Sequence, residues 1–210
     1  RIIALANKAG KPVVIATQLL ETMVERQTPT RAEISDIANA IFDGTDALLV
    51  TGETAIGKFP EKVIEVLSKV VLETEQTIDF DNIHQPISHQ QHTADAISHA
   101  TCQIANDMDI GVILTLTDSG STARMIARYK PSADIIALTP VEKTYRQLSV
   151  IWGVTPKLID QYSSSDDIPN VSAKFIEKNN LLDRGEHYVV TGGVPVGVPG
   201  TTNFLFVQKK

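Results

Sequence analysis

Gly111-Val112-Ile113-Leu114-Thr115-Leu116-Thr117-Asp118-Ser119-Gly120-Ser121-Thr122-Ala123-Arg124-Met125-Ile126 runs from a β-branched apolar stretch, through a turn rich in hydroxyls and glycine, into helical spacing. A short apolar run of this kind reads as a buried strand over 111–116, and Met125, Ile126 and Tyr129 mark one face of the helix that follows. Strand, turn and helix in that order form the repeating unit of a parallel sheet. The turn is also a candidate anion site. Backbone N–H groups and the positive helix end converge on one spot, surrounded by Thr117, Ser119, Gly120, Ser121 and Thr122. The alternative is a helix capped by Ser, Thr or Asp without any ligand, and Asp118 favours it by repelling an anion. No Walker G-x-x-x-x-G-K-[ST] loop and no G-x-G-x-x-G dinucleotide fingerprint occurs.

Downstream the unit repeats. Strands are predicted at 134–138, 154–159 and 188–191, with a last apolar run at 204–207. Helices fall near 141–148 and through Val171, Phe175 and Ile176. A helix carrying Ile97, Thr101, Ile104, Ala105 and Met108 precedes the quoted strand. Residues 93–210 therefore make a complete α/β domain with a mostly parallel sheet. Upstream, Val13-Val14-Ile15-Ala16 reads as a strand. Thr30-Arg31-Ala32-Glu33 is a capping box before a helix with Ile34, Ile37, Ala38, Ile41 and Phe42 on one face, ended by Gly44. Ala47-Leu48-Leu49-Val50 is a second strand. The next helix aligns Val63, Val66, Leu67, Val70 and Val71, with Glu65 and Lys69 as an i,i+4 pair outside. Two strands and their helices cannot close a parallel sheet, so residues 1–78 read as an incomplete part of something larger. Residues 79–92, with Asp79, Asp81, Asn82, Pro86 and Ser88, read as a connector.

Three further places are candidates for chemistry. Thr17-Gln18 and Thr51-Gly52-Glu53-Thr54-Ala55 follow the two upstream strands, where strand carboxyl ends face a ligand crevice in α/β folds. Two hydroxyls and a carboxylate there suit an oxygen-rich substrate; a plain turn capping the next helix is the alternative. Gly192-Gly193-Val194-Pro195-Val196-Gly197-Val198-Pro199-Gly200-Thr201-Thr202 is long for a hairpin and is read as a loop that closes over the anion site, or as a hairpin tip. His84, His89, His92 and His99 lack the Asp or Cys spacing of a ligand set, so no metal site is expected. Met108, Met125 and Trp152 are read as core, and Cys102 as buried rather than reactive.

Composition narrows the function. The 210 residues are 42% hydrophobic and 21% charged, and 19 Lys and Arg against 25 Asp and Glu give a net charge of −6. That balance offers no basic excess for nucleic acid or an anionic membrane. No apolar run approaches the roughly 20 residues a membrane span needs. The single cysteine excludes an internal disulfide and favours a reducing, cytoplasmic setting. A first residue Arg1, followed by helix-like Ile2 to Ala9, reads as a chain that begins partway through a larger protein.

Several stretches match one family in order and spacing. Gly10-Lys11-Pro12-Val13-Val14-Ile15-Ala16-Thr17-Gln18, Pro29-Thr30-Arg31-Ala32-Glu33 with Ser35-Asp36-Ile37-Ala38-Asn39-Ala40, and Thr51-Gly52-Glu53-Thr54-Ala55 resemble successive motifs of the pyruvate kinase family. So do Thr117-x-Ser119-Gly120-x-Thr122-Ala123 with Ala127-Arg128-Tyr129-Lys130-Pro131, and Gly200-Thr201-Thr202-Asn203. The resemblance implies that residues 1–78 are the last two β/α units of a catalytic TIM barrel and that 93–210 are the family's carboxy-terminal allosteric domain. It implies phosphoryl transfer from phosphoenolpyruvate to ADP, giving pyruvate and ATP, with Mg2+ and K+ in the full-length enzyme and a homotetramer.

On the same basis Thr17 stands beside the enolpyruvate, and Thr51 and Glu53 belong to a proton-relay network behind it. Thr51 replaces a serine common there. Arg31 matches an arginine at a subunit contact. The turn Thr117, Ser119, Gly120, Ser121, Thr122 and the loop residues Gly200 and Thr201 bind a phosphorylated effector. Asp118 and Ser121 stand where members responsive to fructose 1,6-bisphosphate carry basic residues, which favours a monophosphate. The family's catalytic lysine and magnesium carboxylates lie in a lysine-x-glutamate motif absent from this sequence, so the chain alone is expected to bind no metal and to be inactive. A stand-alone effector-binding module is the alternative, although it would have no use for Thr17, Thr51 and Glu53.

Overall fold

The computed structural model describes residues 1–78, 92–162, 164–198 and 200–210, which fall into two compact units, 1–79 and 80–210. The predicted connector at 79–92 lies, apart from His92, outside the described residues, and so do His84, His89 and Pro199.

The first unit opens with α1 (Ile2–Lys8) and β1 (Val14–Ala16), followed by a 3-10 turn at Glu21–Val24 and α2 (Arg31–Phe42). Then come β2 (Ala47–Leu49), the single-turn α3 (Gly52–Ala55) and α4 (Pro60–Glu75). The two strands pair in parallel, Val14 opposite Ala47 and Ala16 opposite Leu49. Alternation separates their side chains. Ile15 and Leu48 join Leu20, Met23, Ile37 and Val63 in the core against the helices, while Val14 and Leu49 are about half exposed on the other face. That bare face is what two staves of an incomplete barrel leave. α2 starts where the sequence predicts, with both halves of the capping box made: Glu33 N–H donates to Thr30 Oγ1, and the Glu33 carboxylate accepts from Thr30 N–H. On α4, Glu65 pairs with Lys62 at i,i+3 rather than with Lys69, because the Lys62 ammonium, one turn nearer the amino terminus, reaches it at 2.8 Å.

The second unit follows the predicted order: α5 (Thr93–Asp107), β3 (Val112–Leu116), α6 (Ser121–Ala127), β4 (Asp134–Thr139), α7 (Glu142–Leu148), β5 (Val154–Leu158), α8 (Ile168–Asn179), β6 (His187–Gly193) and β7 (Thr202–Lys209). The sheet order is β5-β4-β3-β6-β7, parallel except for the antiparallel hairpin β6-β7. Every residue of β3 is buried because both of its faces are covered. Ile113 packs with Cys102, Ile126 and Leu148 on one side. Val112, Leu114 and Leu116 pack with Ile168, Ile176 and Tyr188 on the other. At the rim, Gly153 O and Ile159 N–H bond to β4, so alternate residues of β5 face that neighbour and Pro156 faces outward. Its missing N–H there breaks no ladder bond.

Met108, expected in the core, is 48% exposed, because α5 ends at Asp107 and Met108 falls in the turn beyond it. Met125 and Trp152 are only half-buried, and the Trp152 ring carries the Lys130 ammonium 4.3 Å from its centre. Cys102 is buried as expected, and burial pushes its thiol up to about 12, which leaves no thiolate near neutral pH.

Candidate functional site

Two places answer to the sequence candidates. The first lies at the carboxyl ends of β1 and β2. Thr17 and Gln18 leave β1 with φ of 71° and 56°. For the β-branched Thr17 this is a strained backbone that neighbouring structure must hold in place. The Thr17 and Thr51 side chains are exposed, whereas Glu53 is 1% exposed. The Glu53 carboxylate accepts hydrogen bonds from Leu20 N–H (3.2 Å) and Thr51 N–H (2.8 Å). One carboxylate thus ties together the two segments that follow the strands.

Burial alone would raise the Glu53 pKa, but the amide hydrogen bonds outweigh it and hold the group below its ordinary value of 4.5. Glu33, read from sequence only as a cap, does more: its carboxylate also accepts from Thr22 N–H (2.8 Å) and Thr22 Oγ1 (2.6 Å), clamping the turn after β1 to α2. It is held below its ordinary value in the same way, burial opposing and the Thr22 and Thr30 donors prevailing. Arg31 is exposed at the first position of α2.

The second place is a cleft of about 320 Å³, counting its open mouth, at the carboxyl ends of β3 and β6. These two strands flank the point where the winding of the sheet reverses: β4 and β5 are laid down on one side of β3, and β6 on the other. Ligand crevices form at such reversals because the loops leaving the two strands diverge. One wall is the turn 117–122, the other the loop between β6 and β7, with Gly193, Gly197, Gly200, Thr201 and Thr202. Thr122 and Thr202, both buried, share a hydrogen bond of 2.7 Å across it. Thr201 Oγ1 donates to Val198 O, and the Asn203 amide brackets Val194, accepting from its N–H (2.9 Å) and donating to its O (2.6 Å). Gly192 and Gly193 belong to β6 itself, which leaves 194–201 as the loop proper.

Most of the predicted anion-site residues come together here, but not all of their donors remain free. Gly120, at φ 77°, gives its N–H to Thr117 Oγ1 (2.9 Å), and Arg124 donates to Ser119 O (3.0 Å), fixing the turn from behind. Ser119 and Ser121 remain half-buried along the wall. Sequence reasoning missed Tyr162, which lines the cleft with its ring buried; burial, and secondarily the Asp118 charge, push its phenol up to about 12. Its position a few residues past the end of β5 was the available signal. Among the described residues no group of three or more His, Cys, Asp or Glu could hold a metal ion, and His99 stacks obliquely on Tyr129 at 5.3 Å. No helix among them is long and apolar enough to cross a membrane.

Fold and sites together describe a fragment of a β/α barrel joined to a doubly wound lobe with a crevice at its reversal point. The chain matches the family profile described as "Pyruvate kinase, barrel domain" over residues 1–64 and "Pyruvate kinase, alpha/beta domain" over 95–208. It is 46% identical over 209 residues to the pyruvate kinase of Thermotoga maritima and 43% identical to that of Clostridium acetobutylicum, covering 99% of this chain and 44% of each relative. A crystal structure of a pyruvate kinase from Cryptosporidium parvum superposes with a TM-score of 0.87 at 32% identity, over 99% of this chain and 42% of that one. The chain belongs to the pyruvate kinase family, and it spans less than half the length of these relatives.

Proposed function

We propose that the whole protein to which these residues belong transfers the phosphoryl group of phosphoenolpyruvate to ADP as a cytoplasmic glycolytic enzyme. In this reading Thr17 presents its hydroxyl to the enolpyruvate and Thr51 belongs to the proton relay. The observation that supports it is Glu53, whose buried carboxylate joins the post-strand segments bearing the two threonines. Because that carboxylate stays ionised at neutral pH, Glu53 acts by position: it sets the geometry of the relay without storing the proton. Mg2+ and K+ supply charge neutralisation in the whole enzyme, and the residues that hold them belong to other parts of it. Arg31, exposed on α2, is assigned to a subunit contact of a homotetramer. A lactate dehydrogenase-coupled assay tests the reading. The 210-residue chain alone should give no turnover, and a form extended amino-terminally through the remaining β/α units should be active; inactivity of that form defeats the proposal.

The cleft between β3 and β6 is proposed to bind the phosphate of an allosteric effector. The groups assigned to it are Ser119, Ser121 and Thr122 directly, Thr117 and Gly120 as the frame of the turn, and Gly200 and Thr201 as the covering loop. A monophosphate suits it better than a bisphosphate, since Asp118 occupies the wall where a second phosphate would have to be neutralised. Calorimetry with glucose 6-phosphate and with fructose 1,6-bisphosphate tests this, with Thr122→Glu as the control. The added carboxylate should weaken the monophosphate about tenfold or more. Unchanged affinity in that variant would place the phosphate elsewhere.

A further inference from the structure

We infer that Glu33 is a positioning residue of the proposed phosphoryl transfer: by taking both donors of Thr22, its carboxylate holds the turn after β1 in the form that keeps the Thr17 hydroxyl in place for the reacting substrate. This rests on the reading that Thr17 stands beside the enolpyruvate. Thr17 and Gln18 are consecutive non-glycine residues with φ of 71° and 56°. Neither holds that backbone by its own preference, least of all the β-branched Thr17, and a return to negative φ would redirect the exposed hydroxyl. The restraint must come from the residues that follow.

Those residues are fastened at three successive points. Leu20 N–H donates to Glu53, Thr22 donates to Glu33 through its N–H (2.8 Å) and its Oγ1 (2.6 Å), and Val24 O accepts from Lys58 N–H (2.9 Å). Between them Met23 N–H closes on Leu20 O at 2.8 Å, and the Leu20 and Met23 side chains are set in the core. The fastening at Thr22 differs from the other two in what stands behind it. Glu53 belongs to the single-turn α3 and Lys58 to the stretch that follows it, whereas Glu33 lies in the first turn of the 12-residue α2, anchored in the core by Ile37 and Ile41. A side chain fixed on such a helix does not drift with the turn it holds. Its carboxylate has little freedom of its own, since Oε2 also accepts from Thr30 N–H at 2.7 Å and from Thr30 Oγ1 at 2.8 Å. Four donors thus converge on one carboxylate in a residue only 9% exposed, more than the capping of a helix calls for, and two of them come from the segment that carries Thr17.

Steady-state kinetics on the form extended amino-terminally through the remaining β/α units test the inference. Glu33→Ala should lower kcat about tenfold or more, while the KM for ADP, which Thr17 does not touch in this reading, stays within about twofold. Thr22→Val removes one donor but leaves the carboxylate and the helix cap in place, and should lower kcat about threefold. Thr30→Ala removes the cap hydroxyl but neither Thr22 bond; it should lower the melting temperature and leave kcat within about twofold. In a Thr17→Val background Glu33→Ala should cost about twofold or less and Thr22→Val nothing measurable, because a hydroxyl that is gone cannot be misplaced. Losses of full size in that background, an unchanged kcat in Glu33→Ala, or an equal loss in Thr30→Ala would each overturn the role of Glu33 and leave that of Thr17 standing. If Glu33→Ala does not fold, Thr22→Val with and without Thr17→Val decides by the same criterion. If Thr17→Val alone leaves kcat unchanged, the reading of Thr17 falls, and this inference with it.

Discussion

Replacing Glu53 with alanine is expected to speed hydrogen exchange at the Leu20 and Thr51 amides by a factor on the order of 100, equivalent to about 3 kcal/mol. Those two N–H groups are the donors the carboxylate receives, and in a segment where Glu53 is 1% exposed no water takes its place. Glu53→Gln keeps the shape but turns an NH2 toward one of the amides, so about half the effect should remain. Exchange mass spectrometry is the right probe because the tryptophan and all four tyrosines lie between residues 129 and 188, which leaves the first unit without a strong optical signal. Trp152 fluorescence should not move. Protection of both amides unchanged in Glu53→Ala would mean that the carboxylate does not hold these segments.

The same two carboxylates set an acid limit. Glu53 and Glu33 are both held below their ordinary value of 4.5 in the folded chain. The unfolded chain therefore binds more protons as the medium is acidified. Their contribution to stability is complete above the unfolded value and is lost as pH falls through the folded ones, so first-unit exchange should accelerate from about pH 4.5 downward after correction for intrinsic rates.

Gly193→Ala is expected to cost the second unit about 2–3 kcal/mol and to weaken phosphate binding at the cleft by about tenfold. A Cβ at Gly193 would stand 2.5 Å from Thr201 Oγ1 and 2.7 Å from Thr201 O, and the backbone atom cannot swing aside as a side chain could. Thr201 must move, and its bond to Val198 O moves with it. The loop is otherwise fastened by Asn203 around Val194, so the strain concentrates on the side of the cleft that carries Gly200 and Thr201. Urea unfolding followed by Trp152 fluorescence measures the cost; a midpoint equal to that of the native chain would show that the loop yields freely.

The fold was legible where side-chain patterns report burial directly. The apolar runs at 111–116 and 134–138 and the helices around Ile37 and Ile176 lie within a residue or two of their predicted places, because both faces of β3 and β4 are covered and one face of each helix is. Met108 was misplaced because its spacing continues the helix past the point where the backbone turns away. The sites were legible in part. Hydroxyl-rich turns after strands stand out in a sequence, and Ser119, Ser121 and Thr122 do converge with Thr201 and Thr202. What no spacing reveals is which donors are already committed. Gly120 spends its N–H on Thr117, Glu33 serves Thr22 as well as its own helix, and Tyr162 arrives from a strand on the far side of the sheet.

Pro156 carries one last implication. A foreign strand seeking to lengthen the sheet at that rim would look for an evenly spaced row of amide hydrogens and find a gap at its centre, with a rigid ring standing in it. Templated growth of the kind that seeds amyloid is hindered there, and the exposed Lys157 beside the ring adds a charge to the same edge.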